Sequence, residues 1–140
     1  YKNSNNFHAL FQIQQESASM YLIHKSEMRH NEATAFKWNL PILPAKHEYS
    51  VYDDEHGLIL SADGILYGLS FQSKEYFEQN GWYWHQLSQE RMRKVRKGGS
   101  CVMINTNDNK KKLFVYGGIR RNRSRFCSSD VFDFTETKWT

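Results

Sequence analysis

Residues 113–118 read LFVYGG and residues 130–139 read DVFDFTETKW, with the basic stretch IRRNRSRF (119–126) between them. Leu113 to Tyr116 is a continuous apolar run of β-favouring residues, the pattern of a strand buried on both faces. Gly117 and Gly118 end it, because two glycines permit positive φ and close backbone approach. Asp130 to Phe134 reads as a second strand and Thr135 to Lys138 as a polar turn. Trp139, seven residues after Phe132, opens the next strand, where a large ring can fill the wedge between neighbouring sheets.

An earlier copy of the pattern lies upstream. Phe77 and Trp84 are also seven apart, and each lies 55 residues before its counterpart. Tyr67-Gly68 aligns with Tyr116-Gly117 at an offset of 49, with Leu69 in the place of the second glycine. KHEYSVY (46–52) aligns with KGGSCVM (97–103) at an offset of 51. Several landmarks sharing one approximate period are the signature of a repeat architecture. Such a set, GG then FD then W, resembles one unit of the kelch repeat, the four-stranded blade of a β-propeller. The resemblance is closest over 84–140 and extends over 39–84, with Phe77 and Phe132 where the family usually has Tyr. Its fold-defining positions here are Gly68, Phe77, Trp84, Gly117, Gly118, Phe132 and Trp139. A third, divergent copy would use MYLIHK (20–25) as a middle strand and ATAFKW (33–38) as a third strand running into Trp38, without a glycine pair. The expected fold is therefore all-β, a partial kelch-like propeller of about three four-stranded antiparallel blades. The blades divide as 1–38 (partial or divergent), 39–84 and 85–140. The alternative is another antiparallel β fold built from repeated hairpins.

At 140 residues the chain has the size of one domain but not of a closed propeller, which needs four or more blades. It opens on Tyr1 and closes just inside a strand, so we expect a piece of a longer protein. The sharper alternative is a homodimer in which two copies complete one ring. No apolar run approaches the length of a transmembrane helix. Cys101 and Cys127 do not make a disulfide framework, which favours a cytoplasmic or nuclear setting. Cys101, in the apolar strand SCVMI, reads as core filler.

Net charge is only +4, but nine of the nineteen Lys and Arg residues fall in two segments. One, 88–97, holds Arg91, Arg93, Lys94, Arg96 and Lys97; the other, 119–126, holds Arg120, Arg121, Arg123 and Arg125. In a meandering blade the connection into the first strand and the connection from second to third lie at the same end. Both basic segments are therefore expected on one face, with Lys110-Lys111-Lys112 and Asp53-Asp54-Glu55 on the opposite one. Such a face suits an acidic or phosphorylated protein segment, since guanidinium pairs with carboxylate and phosphate through two hydrogen bonds. Nucleic acid or anionic lipid fits the same charge. Only Phe126 interleaves with the arginines, however, so a base-stacking platform is poorly supported. The bland reading is a solvated loop that keeps the protein soluble.

Catalytic chemistry is not legible. The six histidines form no HxxxH pair and stand at no metal-ligand spacing from a cysteine. GxSxG, phosphate-loop and dinucleotide fingerprints are missing. We expect no enzyme, no cofactor and no metal. The kelch resemblance implies a protein-binding scaffold or adaptor, for example a substrate-recognition subunit of a ubiquitin ligase. The candidate partner-binding residues are Arg91, Arg93, Lys94, Arg96, Arg120, Arg121, Arg123 and Arg125. A purely structural role, in blades that complete a larger ring or assembly, is the remaining alternative.

Overall fold

The computed structural model describes residues 7–24, 35–71, 81–120 and 122–140. Among them the chain is all-β, without a helix, and its strands form three antiparallel sheets, none closed into a barrel. The first sheet contains β1 (Phe7–Ile13), β2 (Ala18–His24) and β3 (Ala35–Asn39). The second contains β4 (His47–Asp53), β5 (Gly57–Ala62), β6 (Ile65–Phe71) and β7 (Trp82–Gln86). The third contains β8 (Ser100–Asn105), β9 (Lys111–Tyr116), β10 (Ser129–Asp133) and β11 (Lys138–Trp139). Order in space follows order in sequence within each sheet, so every sheet is a meander.

The sheets stack face to face in chain order, and two apolar layers hold them. Ala18 and Met20 of the first sheet meet Leu60 and Ala62 of the second, with Leu40 and Leu43 of the β3–β4 connection sealing the end. Tyr49, Ile59 and Leu66 of the second sheet meet Leu113, Val115 and Phe132 of the third. Side chains alternate faces along a strand, so Leu60 and Ile59 serve different layers. This is why the run LILSA (58–62) is buried throughout: β5 is a middle strand of the middle sheet.

Several expectations change on this frame. β9 is covered on one face only; Leu113 and Val115 are buried, whereas Tyr116 points to the open side and is exposed. Tyr67-Gly68 does not match Tyr116-Gly117. Gly68 lies inside β6, the third strand of its sheet, whereas Gly117 follows the second strand of its own. Gly68 is needed for another reason: it pairs with His85, whose imidazole would lie 2.6 Å from an added Cβ. The counterpart of Gly117-Gly118 is Asp63-Gly64, which links β5 to β6 with φ of 49° and 79°. Two positive φ values make this a tight hairpin turn matched to strand twist. Phe77 lies outside the described residues. The first sheet has three described strands, not four.

Trp84 and Trp139 occupy the same place, the last strand of their sheets, and both face the preceding sheet. Trp139 stands opposite Phe132 with ring centroids 5.2 Å apart. Trp84 donates its indole N–H to the Pro41 carbonyl at 2.9 Å, tying the β3–β4 connection to the second sheet.

The turns after β4 and β10 share one chemistry. Asp53 accepts the backbone N–H groups of Glu55 and His56, and Asp133 accepts those of Thr135 and Glu136. Each turn closes four residues after the aspartate with a positive φ, 71° at Gly57 and 53° at Thr137. Glycine takes that conformation freely, whereas a β-branched residue is strained there by about 1–2 kcal/mol. Thr137→Gly is therefore expected to stabilise the protein by about 1 kcal/mol, and Gly57→Thr to destabilise it by a similar amount. Urea unfolding midpoints of the two variants check this; a fall for Thr137→Gly would count against the shared turn geometry.

Candidate functional site

The segment 88–97 crosses from the second sheet to the third. It is tied down at its start by the Leu87 N–H to the Leu66 carbonyl and by the Ser88 hydroxyl, which accepts the Leu66 N–H. Met92 donates its N–H to the Gly64 carbonyl and buries its side chain in the second apolar layer. Four residues on, Arg96 turns inward as well. Between and around them Arg91, Arg93, Lys94 and Lys97 are exposed.

Arg96 is fully buried at 0 % exposure. Its guanidinium donates to Asp130 Oδ2 at 2.6 and 3.0 Å, to the Gly117 carbonyl at 2.9 Å and to the Ser128 hydroxyl at 3.2 Å. All of these partners lie on β10 or on the loop after β9. This corrects the expectation that Arg96 captures a partner, because its donors are committed inside the chain. It also explains the double glycine. A Cβ on Gly118, where φ is 88°, would lie 3.0 Å from the Arg96 Cβ and 3.1 Å from the Lys97 carbonyl oxygen.

The two basic segments are thereby joined. Lys97 and Ile119 form a β-bridge, with N–H to carbonyl distances of 2.9 and 3.3 Å. Ile119 also bridges Arg125, and the Arg120 N–H reaches the Ser124 carbonyl at 2.8 Å. Residues 119–120 and 124–125 are thus the paired arms of a small hairpin rather than a loose loop. Asn122 accepts both the N–H and the hydroxyl of Ser124, and Arg123 has a φ of 64° at its tip.

Phe126 follows the hairpin and is buried. Arg96 stacks on its ring at 4.4 Å, and Arg120 at 4.6 Å. Beside it opens a cavity of about 530 Å³ lined by Arg91, Met92, Arg93, Lys94, Arg120 and Phe126. Arg91 is paired with Asp63 at 2.8 Å, which withdraws it from the free charge. Among the described residues no carboxylate pairs with Arg93, Lys94, Arg120, Arg123 or Arg125. Arg121 lies outside the described residues. Compared with known proteins, the chain matches no family model, no curated sequence and no solved structure.

The opposite end of the stack carries a different cluster. Asp53 accepts from Lys111 at 2.7 Å and from the His56 ring at 3.0 Å, and Lys111 also reaches Glu55 at 3.2 Å. Partial burial pushes the Asp53 carboxyl up, but the Lys111, His56 and backbone hydrogen bonds together outweigh it and hold it well below the usual carboxylate range. Asp53, Glu55 and His56 converge as metal ligands would, yet the Lys111 ammonium already stands among them. Cys101 is inert filler with its thiol pushed up to about 11 by burial, whereas Cys127 is exposed.

Two tests follow from these pairs. Removing one partner of a buried ion pair leaves the other charge stranded, so Arg96→Ala or Asp130→Ala should cost about 3–5 kcal/mol. The double variant Arg96→Met with Asp130→Leu should recover at least half of that loss in urea unfolding. A depressed folded-state pKa stabilises the protein above the unfolded value near 4 and loses that stabilisation as pH falls through the folded value. The wild type should therefore lose stability below about pH 4 more steeply than Lys111→Met, and parallel acid profiles would deny the Asp53–Lys111 pair this role.

Proposed function

We propose that the chain is part of a kelch-like β-propeller that works as a protein-binding scaffold, with its basic rim capturing an acidic or phosphorylated segment of a partner protein. One observation carries this reading. Arg120 is stacked on Phe126, which also packs against the buried Arg96, so a guanidinium is held at the cavity rim with its donors free. A pre-positioned arginine loses little conformational freedom when it takes up an anion. Arg93 and Lys94 face the same cavity and bring a second and third uncompensated charge.

The stacked meanders, and the recurrence of a Trp on the last strand of the second and third sheets, support the propeller part of the reading. The open faces at the two ends of the stack are what blades of a larger ring would present. A protein segment is favoured over nucleic acid because the aromatic ring at the site is buried and already packed against two guanidinium groups. A ring so buried and engaged is a poor platform for a base to stack on.

Fluorescence anisotropy with a labelled acidic peptide and its phosphoserine counterpart tests this across a salt series. Both peptides are expected to bind, with affinity falling as salt rises. The double charge reversal Arg93→Glu with Arg120→Glu should weaken binding by at least about tenfold and flatten the salt dependence. Both positions are at the surface and only the Arg120–Phe126 stack is lost, so unfolding stability should fall by no more than about 1 kcal/mol. Binding indifferent to salt and to the reversal would remove the reading. A steep salt slope with single-stranded DNA, and none with the peptides, would transfer the rim to nucleic acid.

A further inference from the structure

The hairpin after β9 puts one serine among unpaired arginines. The Phe126 N–H reaches the Gly118 carbonyl at 3.0 Å, Ile119 bridges Arg125, and the Arg120 N–H reaches the Ser124 carbonyl at 2.8 Å. This register sets Arg120 opposite Ser124 and diagonal to Phe126. Opposite and diagonal residues of a hairpin share a face, and the Arg120 guanidinium does meet the Phe126 ring, at 4.6 Å. Ser124 and Phe126 are two apart on one arm and so share that face as well. The Ser124 side chain therefore stands beside Arg120, at the border of the basic cavity, with Cβ atoms about 5 Å apart.

Ser124 is exposed, and its hydroxyl donates to Asn122 Oδ1 at 2.7 Å. Other hydroxyls near the rim are committed to the fold: Ser88 accepts the Leu66 N–H, and Ser128 accepts from the buried Arg96. In sequence Ser124 is flanked by Arg120, Arg121, Arg123 and Arg125. Among the described residues no carboxylate pairs with Arg120, Arg123 or Arg125. Arg123, whose N–H reaches the Arg120 carbonyl at 3.0 Å, holds a φ of 64°. That place, where a turn rejoins its arm, favours glycine. An arginine there gives up turn stability for a charge beside the serine, and the strain eases opening of the tip.

We propose that Ser124 is a phosphorylation site for a serine kinase that selects basic sequences, and that its phosphate closes the rim from within. The Ser124 oxygen attacks the γ-phosphorus of ATP. The new P–O bond forms as the bond to the β–γ bridging oxygen breaks, ADP leaves, and the hydroxyl proton passes to the kinase's base. The ester oxygen can no longer donate to Asn122, so that bond is lost. The phosphate instead offers three acceptor oxygens and a charge of about −1.5 to −2 to the free donors of Arg120. It then holds, on a covalent tether, the position that a partner's anion would take. Capture is switched off by occupancy and by charge. The switch rests on the anion-capturing rim proposed above, whereas the contact between phosphorylated Ser124 and Arg120 is readable without any partner.

The tests use the intact chain. It is incubated with ATP and a purified basophilic serine kinase, and the phosphate is mapped by mass spectrometry. Phosphate is expected on Ser124 ahead of Ser128 and Ser129; a map that lacks Ser124 overturns the site. The chain is also made with phosphoserine at 124, and its phosphorus resonance is titrated. The second ionisation, at about pH 6 for free phosphoserine, is expected to be lowered, and to return toward that value in Arg120→Gln. Titration at about pH 6 in both forms removes the contact with Arg120. In fluorescence anisotropy the labelled acidic peptide should bind the phosphorylated chain at least about tenfold more weakly than the unmodified one. Equal binding overturns the switch. A peptide that binds neither form, alongside a lowered ionisation, would remove the proposed partner and still support the contact between phosphorylated Ser124 and Arg120.

Discussion

Arg96 is the constraint on which the functional face depends. Burying a guanidinium removes its hydration, a cost of several kcal/mol, and only a dense set of partners can offset it. Here four hydrogen bonds and a carboxylate do so, and they come from three places in sequence: Gly117, Ser128 and Asp130. The consequence is geometric. The end of the β7–β8 connection, the end of β9 and the start of β10 cannot move independently while that guanidinium is satisfied. Gly118 lacks a side chain because Arg96 and Lys97 occupy the space it would need. Phe126 is packed because Arg96 provides one wall for it. Arg120 is placed because Phe126 provides the next. The outer cation is thus positioned by the inner one through a single ring.

Much of the scaffold was legible because burial imposes patterns that a strand cannot hide. The spacing of Phe132 and Trp139 translates into a cross-strand pair, and Trp84 and Trp139 share a position although 55 residues separate them. A run that is apolar throughout is not by itself proof of burial on both faces. LFVY and LILSA look alike in sequence, but only the second lies between two covered faces. The difference is set by what packs outside the strand, which local sequence does not carry. The same limit explains Gly68. Tyr-Gly at the end of an apolar run reads as a strand end, yet Gly68 lies inside β6, where the His85 ring fills the space a Cβ would need. The true turn, Asp63-Gly64, was written in the sequence as Asp-Gly after an apolar run, a stronger signal for a tight hairpin than Tyr-Gly is.

At the site, the clustering of charge was readable but the division of labour was not. Arg91, Arg93 and Arg96 are indistinguishable by residue type, and the structure gives them three fates: a surface pair with Asp63, an open cavity and complete burial. One clue pointed to the buried one. Asp130 shares a strand face with Phe132, two residues on, and so must point toward the core side. A carboxylate on that face needs a cation from another segment, and the basic stretches were the candidates. Met92 and Arg96, four apart, are the two long side chains that their segment buries, a spacing that a turn brings to one side.

The contrast between the second and third sheets bears on what the rim is for. Both link their second and third strands at the same end. The second sheet does it with the two residues 63–64, the third with the twelve residues 117–128. A two-residue turn meets every demand of the fold at that point. The longer connection adds conformational entropy to be lost on folding, and it needs a buried ion pair to hold it. Its hydrogen bonds then order a hairpin on which Arg120, Arg123 and Arg125 meet no carboxylate among the described residues, and such like charges oppose folding rather than aid it. Stability alone does not account for such a loop. On the proposed function an acidic ligand would, because the repulsion that the free protein bears is relieved when an anion enters the cavity beside Phe126. The ordering that capture would otherwise require has already been done by Arg96.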